Sequence, residues 1–218
     1  MPDASVNAVI TDPPYGDLTH AGARTRKNGV QKLVRFNGLT TDKFLHVCAE
    51  LVRVSRRWVI LFCDWQHAAA AEQAGLPVVR LGVWIKTNAA PQFTGDRPGV
   101  GWEAVLILHR PGRKRWNGGG YPAVWQSKCA RGNHPTEKPV PLLREWVQLF
   151  TDPDEVVFDP FAGSGSTGVA TLSVGRRFVG CEIDPNYHAI ALRRLAEVQC
   201  EAGLFRRSQL LSFEVPRS

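Results

Sequence analysis

No run of about eighteen uncharged apolar residues occurs in this 218-residue chain, so no membrane-spanning helix is expected. The N-terminus lacks the basic-then-apolar order of a signal peptide, and a cytoplasmic protein is the expectation. Cysteine is sparse and unpatterned. Cys48, Cys63, Cys129, Cys181 and Cys200 form no CxxC pair and leave an odd one out. That argues against a disulfide framework and a zinc site, and reduced thiols with no bound metal are expected. Internal repeats are absent, and no linker divides the chain, so one domain spanning 1–218 is expected.

What is present is an ordinary globular composition, 44% apolar and 22% charged, with a net charge of +7. The positive charge is unevenly spread. Between Asp17 and Lys43 lie Arg24, Arg26, Lys27, Lys32, Arg35 and Lys43 against Asp17 and Asp42. Between His109 and Lys138 lie Arg110, Arg113, Lys114, Arg115, Lys128, Arg131 and Lys138 against Glu137 alone. The remainder carries a small net negative charge. Residues 17–43 and 110–133 therefore read as inserted basic loops on a mildly acidic body. Phosphate binding uses such an asymmetry, and solvated loop charge is the bland alternative.

Between these segments the pattern alternates. Val6 to Thr11 reads as a strand stopped by two prolines, and Phe44, Val47, Leu51 and Val54 recur at helical spacing after Thr41-Asp42. Trp58 to Cys63 is a continuous apolar run, as in a strand covered on both faces. Gln66 to Ala74 reads as a helix, Val78 to Thr87 and Glu103 to His109 as strands, and Val140 to Phe150 as an amphipathic helix behind Pro139. A strand ending at Phe158, a helix from Ser164 to Val174, and a strand from Arg177 to Cys181 follow. The last helix begins at Asp184-Pro185, with Tyr187, Ala191, Leu195 and Val198 on its buried face. Arg110 to Asn133 shows no clear secondary structure. This alternation predicts an α/β fold with a doubly wound, mostly parallel sheet.

Two segments carry chemistry. Gly163-Ser164-Gly165-Ser166-Thr167-Gly168 opens a helix directly after a strand, and Glu182 lies nineteen residues beyond Gly163. Glycines let a ligand approach the backbone closely, and an acidic residue at the next strand's end accepts hydrogen bonds from ribose hydroxyls. GxGxxG with a following acid is also the dinucleotide fingerprint, so an NAD-dependent oxidoreductase is the competing reading. The preceding Asp159-Pro160-Phe161 step weighs against it, because a dinucleotide strand usually stays apolar up to the first glycine. The other segment is Asp12-Pro13-Pro14-Tyr15. Asp12 can accept a hydrogen bond from an amino group, and the proline-fixed carbonyl of Pro13 a second, with Pro14 stiffening the corner. Tyr15 offers a ring to stack on a base turned out of a duplex.

At these residues the chain resembles the S-adenosylmethionine-dependent methyltransferases that modify exocyclic amino groups of DNA bases. The catalytic motif precedes the cofactor motif, as in the circularly permuted beta group of that family. The resemblance implies S-adenosylmethionine as cofactor and a Rossmann-like sheet of seven strands with one antiparallel strand near an edge. It implies that Asp159 faces the methionine moiety, with Phe161 packed near it, and that Gly163, Ser164, Gly165 and Thr167 form the cofactor loop. Glu182 would bind the ribose and Ile183 would cover the adenine ring. His134-Pro135-Thr136-Glu137-Lys138-Pro139 resembles a further family segment whose Thr136 and Lys138 would contact the methionine end, where Asp12 also reaches. The sulfonium leaving group needs no acid and no covalent intermediate. Cytosine C5 chemistry needs a thiolate, typically in a Pro-Cys step, and no cysteine here follows proline.

Asp in the first position of Asp-Pro-Pro-Tyr resembles adenine-N6 enzymes more than cytosine-N4 ones, which often carry Ser there. The expected activity is therefore methylation of adenine N6 in DNA. Cytosine-N4 methylation and a catalytically silent nucleic-acid-binding relative are the alternatives. Arg24, Arg26, Lys27, Lys32, Arg35, Arg113, Lys114, Arg115, Lys128 and Arg131 are the expected DNA contacts, with both basic segments flanking the pocket at Asp12. Trp116, Tyr121 and Trp125 are candidates either for base contacts or for packing on the sheet. A homodimer in which one subunit's basic loop serves the other's pocket would supply further grip. The family's usual strand upstream of Asp-Pro-Pro-Tyr has no room in eleven residues; it is missing, shortened, or replaced by Gln209 to Phe213.

Overall fold

The computed structural model describes residues 1–14, 38–92, 95–130, 137–203 and 210–214. In chain order its elements are β1 (Val6–Thr11), α1 (Thr41–Val54), β2 (Ser55–Cys63), α2 (Trp65–Gln73), β3 (Val78–Lys86), β4 (Trp102–His109) and β5 (Val124–Ser127). There follow α3 (Val140–Phe150), β6 (Val156–Asp159), α4 (Ser166–Ser173), β7 (Arg177–Cys181), α5 (Pro185–Gly203) and β8 (Leu210–Glu214).

Local chemistry sets most boundaries. The Thr40 side chain caps α1 by accepting from the Lys43 amide, and Asp64 caps α2 by accepting from the His67 amide at 2.7 Å. Asp184 accepts from the Asn186 and Tyr187 amides at 2.8 and 3.2 Å, starting α5 behind Pro185. In α1 the buried face is Phe44, Cys48, Leu51 and Val54, so Cys48 rather than Val47 fills the second turn. β2 sends Val59, Leu61 and Cys63 to the face under α1 and α2, and Trp58, Ile60 and Phe62 to the face under α3. Its apolar run thus reflects cover on both sides.

The strands form one eight-stranded sheet in the order β5-β3-β4-β2-β1-β6-β7-β8. β1 pairs in parallel with both β2 and β6, and β6, β7 and β8 continue in parallel. Among the described strands β4 alone runs against the rest, pairing antiparallel with β2 and β3. The chain winds outward from β1 in one direction and from β6 in the other, so the switch of winding lies between these two strands.

One expectation changes. The sheet has eight strands rather than seven, because Val124–Ser127, inside the segment read as lacking secondary structure, adds to the β3 edge in parallel. A four-residue strand that follows three glycines and a proline carries too little periodicity to stand out in sequence. Burial fixes it instead: Trp125 of β5 is 1% exposed and packs edge-on against Trp146 of α3. Trp116 likewise packs on Phe150, whereas Tyr121 stays exposed. At the other edge, β8 pairs in parallel with β7 through Phe178–Leu210 and Gly180–Phe213, so the C-terminal segment is a strand of the sheet. Among the described residues no helix is long and apolar enough to cross a membrane.

Candidate active site at the switch between β1 and β6

β1 and β6 end side by side, and ligands in open α/β sheets bind beyond the carboxyl ends of strands at such a switch. Thr11, the last residue of β1, donates its hydroxyl to Asp159 Oδ1 at 2.6 Å, and the Phe161 amide donates to the same oxygen at 3.0 Å. Asp159 is 2% exposed. Burial pushes its carboxyl up to about 6, although bonds from Thr11, Thr167 and the Phe161 amide hold it partly down. The two motifs, 147 positions apart in the chain from Asp12 to Asp159, thus meet across one strand pair.

The glycine loop follows. Gly163 has φ 53° with open space where a side chain would project, and Gly165 has φ 84° as the cap of α4, facing Ala191 of α5 at about 3 Å. The loop backbone is therefore bare on one side and tight on the other. Glu182, beyond β7, is buried and accepts from the Gly163 amide at 2.7 Å and from the Asp184 amide at 2.8 Å. Each carboxylate oxygen keeps a further lone pair for a ribose hydroxyl. Ile183, the expected adenine cover, stands 73% exposed beside it. Ser164 and Thr167 are buried within the loop and the first turn of α4.

Lys138, expected at the methionine end, stands beside Asp12. Its ammonium pairs with Asp12 Oδ2 at 2.8 Å and with Glu103 Oε2 at 3.1 Å, above the Phe62 ring at 4.6 Å. Burial disfavours its charge, but the carboxylates of Asp12 and Glu103 outweigh that and raise its pKa, so it stays protonated. The adjacent Glu137 turns the other way. It accepts from Arg194 of α5 at 2.7 Å and from the Ser166 hydroxyl at 3.2 Å. Arg194 also donates to the Ser164 carbonyl and hydroxyl at 2.7 and 2.9 Å. Neither Glu103 nor Arg194 belongs to a recognisable motif; only the sheet direction and helix packing bring them here. Asp12, Pro13 and Pro14 hold the corner beyond β1, while Tyr15, Thr136, Arg131 and the 17–37 basic residues, Arg24, Arg26, Lys27, Lys32 and Arg35 among them, lie outside the described residues.

The expectation that both basic segments flank the pocket needs correction. Trp58 pairs with His109 and Cys63 with Ala104, so β4 ends at the amino edge of the sheet, opposite Asp12. Arg113, Lys114 and Arg115 follow that end and are exposed there, and Arg115 pairs with Asp152, which precedes β6, at 3.0 Å. β5 then carries the chain back, leaving Lys128 exposed at the carboxyl edge. Antiparallel β4 is the physical reason: a basic run placed directly after it cannot reach the pocket side. Among the described residues no cluster of three or more His, Cys, Asp or Glu suits a metal ion. All five cysteines are free, and burial pushes Cys48 up to about 12 and Cys63 upward as well, so these two thiols are not nucleophiles.

Comparison with known proteins gives a consistent picture. A model of DNA methylases of the N6/N4 class matches residues 6–193. A protein of Escherichia coli (strain K12) described as putative methylase YubD is 37% identical over 210 residues, covering 91% of this chain and 86% of its own. The solved M1.HpyAVI–SAM complex superposes with a TM-score of 0.66 at 26% identity, covering 88% of this chain and 89% of that one. The PvuII DNA methyltransferase, cytosine-N4-specific, shares the fold with a TM-score of 0.68 at 15% identity over 92% of this chain and 85% of that one.

Proposed function

Since this chain belongs to the N6/N4 DNA methylase family and is an S-adenosylmethionine-dependent DNA amino-methyltransferase, we propose that its acceptor is the exocyclic N6 amino group of adenine. The observation that carries the choice of base is Asp12, an acid rather than a serine, at the head of the Asp-Pro-Pro corner and beside the cofactor loop. An amino group on adenine has its lone pair delocalised into the ring and is a poor nucleophile. A charged acceptor at Asp12, with the Pro13 carbonyl as second acceptor, favours the pyramidal geometry that points the lone pair at a sulfonium methyl.

The residues present fit the cofactor. Gly163 leaves a bare, positive-φ backbone, buried Glu182 has acceptor capacity for the ribose, and buried Asp159 suits the methionine ammonium. When bound, S-adenosylmethionine supplies an electrophilic methyl group. Lys138 pairs with the Asp12 carboxylate and orients it, Tyr15 stacks on the extruded base, and solvent-side Lys128 together with Arg24, Arg26, Lys27, Lys32, Arg35 and Arg131 holds backbone phosphates. The whole chain acts as one domain around this pocket.

The test is to incubate the protein with duplex DNA and isotopically labelled S-adenosylmethionine, digest to nucleosides, and identify the labelled species by mass. N6-methyladenine is expected. Label in N4-methylcytosine alone would overturn the adenine assignment while leaving the family activity in place.

A further inference from the structure

We propose that Glu103, the second residue of antiparallel β4, is a positioning residue for methyl transfer that shares the Lys138 ammonium with Asp12 and keeps it to one side of the catalytic carboxylate. The proposal rests on the methyl-transfer reading above. β4 is the one described strand whose amino end lies at the pocket edge of the sheet, and that reversal is what brings Glu103 to the site.

An ammonium is a compact point charge with three donors on a flexible stem. If Lys138 faced Asp12 alone, it would take up the carboxylate's charge and lone pairs, and Asp12 would become a weaker acceptor for the reacting amino group. Glu103 competes for the same ammonium, at 3.1 Å against 2.8 Å to Asp12. Glu103 is itself held. Its other oxygen pairs with Lys86 of β3 at 2.6 Å, and the Lys86 ammonium lies 5.3 Å from the Trp84 ring centre. Alternating charges therefore run from the catalytic corner across β4 to β3, in the order Asp12, Lys138, Glu103, Lys86. With the Phe62 ring beneath it, the Lys138 ammonium is confined on three sides. The result is a carboxylate at Asp12 that is fixed in direction and only partly neutralised.

A purely structural Glu103 would act independently of Lys138, so the test is a double-mutant cycle. Single-turnover methyl transfer at saturating DNA and S-adenosylmethionine is measured for the wild type, Glu103→Gln, Lys138→Met and the double variant, with cofactor affinity by calorimetry. Glu103→Gln should slow transfer about tenfold with cofactor affinity within about twofold, and should slow the Lys138→Met protein less than about twofold. Glu103→Asp should recover part of the rate. Lys86→Met, at the end of the chain of charges away from Asp12, is a second variant and should slow transfer about two- to fivefold. A wild-type rate in both Glu103→Gln and Lys86→Met, or a Glu103→Gln effect undiminished by Lys138→Met, would overturn the proposal. Failure of the wild type itself to methylate any DNA would overturn the methyl-transfer reading and this proposal with it, whereas failure confined to the variants' pattern touches only the role of Glu103.

Discussion

Two carboxylates close together at the end of β1 and β6 do different work because their surroundings differ. Asp12 is partly exposed and paired with an ammonium, while Asp159 is sealed in and held by a hydroxyl and an amide. Asp159, raised to about 6, binds its proton more tightly folded than unfolded. Between about pH 4 and 6 the folded chain therefore holds more protons, and stability contributed by Asp159 falls as pH rises through that window. A cationic methionine ammonium prefers the ionised form, so cofactor affinity should change in the opposite sense. Calorimetry at pH 5 and 7 should show S-adenosylmethionine binding about tenfold tighter at the higher pH in the wild type and nearly pH-independent in Asp159→Asn. Equal affinities at both pH values in the wild type would remove Asp159 from the methionine site. Glu182 makes a second residue-level case. Glu182→Ala leaves the Gly163 and Asp184 amides and the ribose without an acceptor, and should weaken cofactor binding by about 1–3 kcal/mol. Unchanged binding in the same titration would place the ribose elsewhere.

Elements place these residues, and here the sequence was legible unevenly. Strands β1, β2, β6 and β7 announced themselves by apolar runs closed with aspartate, proline or glutamate, and the helices by caps and period. The motif acids Asp12, Asp159 and Glu182 could be located because each stands at the carboxyl end of a strand whose direction follows from the βα alternation. Glu103 could not, since nothing local in Trp102-Glu103 says that β4 runs backwards. Arg194 was equally hidden: it sits on the face of α5 that reads as ordinary surface, yet its guanidinium ties Ser164 of the loop to Glu137 beside Lys138. That tie should matter for cofactor binding. Arg194→Met leaves a mostly buried Glu137 carboxylate and the Ser164 carbonyl short of donors, and should weaken S-adenosylmethionine binding by about 1–3 kcal/mol. Arg194→Met binding the cofactor as tightly as the wild type would mean that the loop holds its shape without α5.

For the whole molecule, the winding reversal between β1 and β6 explains why two motifs at opposite ends of the chain make one site. The antiparallel run of β4 in turn divides the described positive charge: Arg113 to Arg115 are carried to the amino edge, and Lys128 stands at the carboxyl edge behind β5. Composition and charge count were visible in the sequence; which edge each charge reaches was not, because that depends on the direction of one strand. Salt-dependent DNA binding should therefore survive replacement of Arg113, Lys114 and Arg115 together by alanine. Lys128→Ala should weaken it and reduce the log–log salt slope by about one. The reverse pattern, with loss only in the triple variant, would put DNA on the amino edge. The most direct test of the account is single-turnover methyl transfer by Asp12→Ala under saturating S-adenosylmethionine and DNA. Transfer should fall below about a thousandth of the wild-type rate, with the loss in cofactor affinity held to about tenfold or less. Methylation by Asp12→Ala at the wild-type rate would contradict the assignment of Asp12 as the group that directs the amino nitrogen.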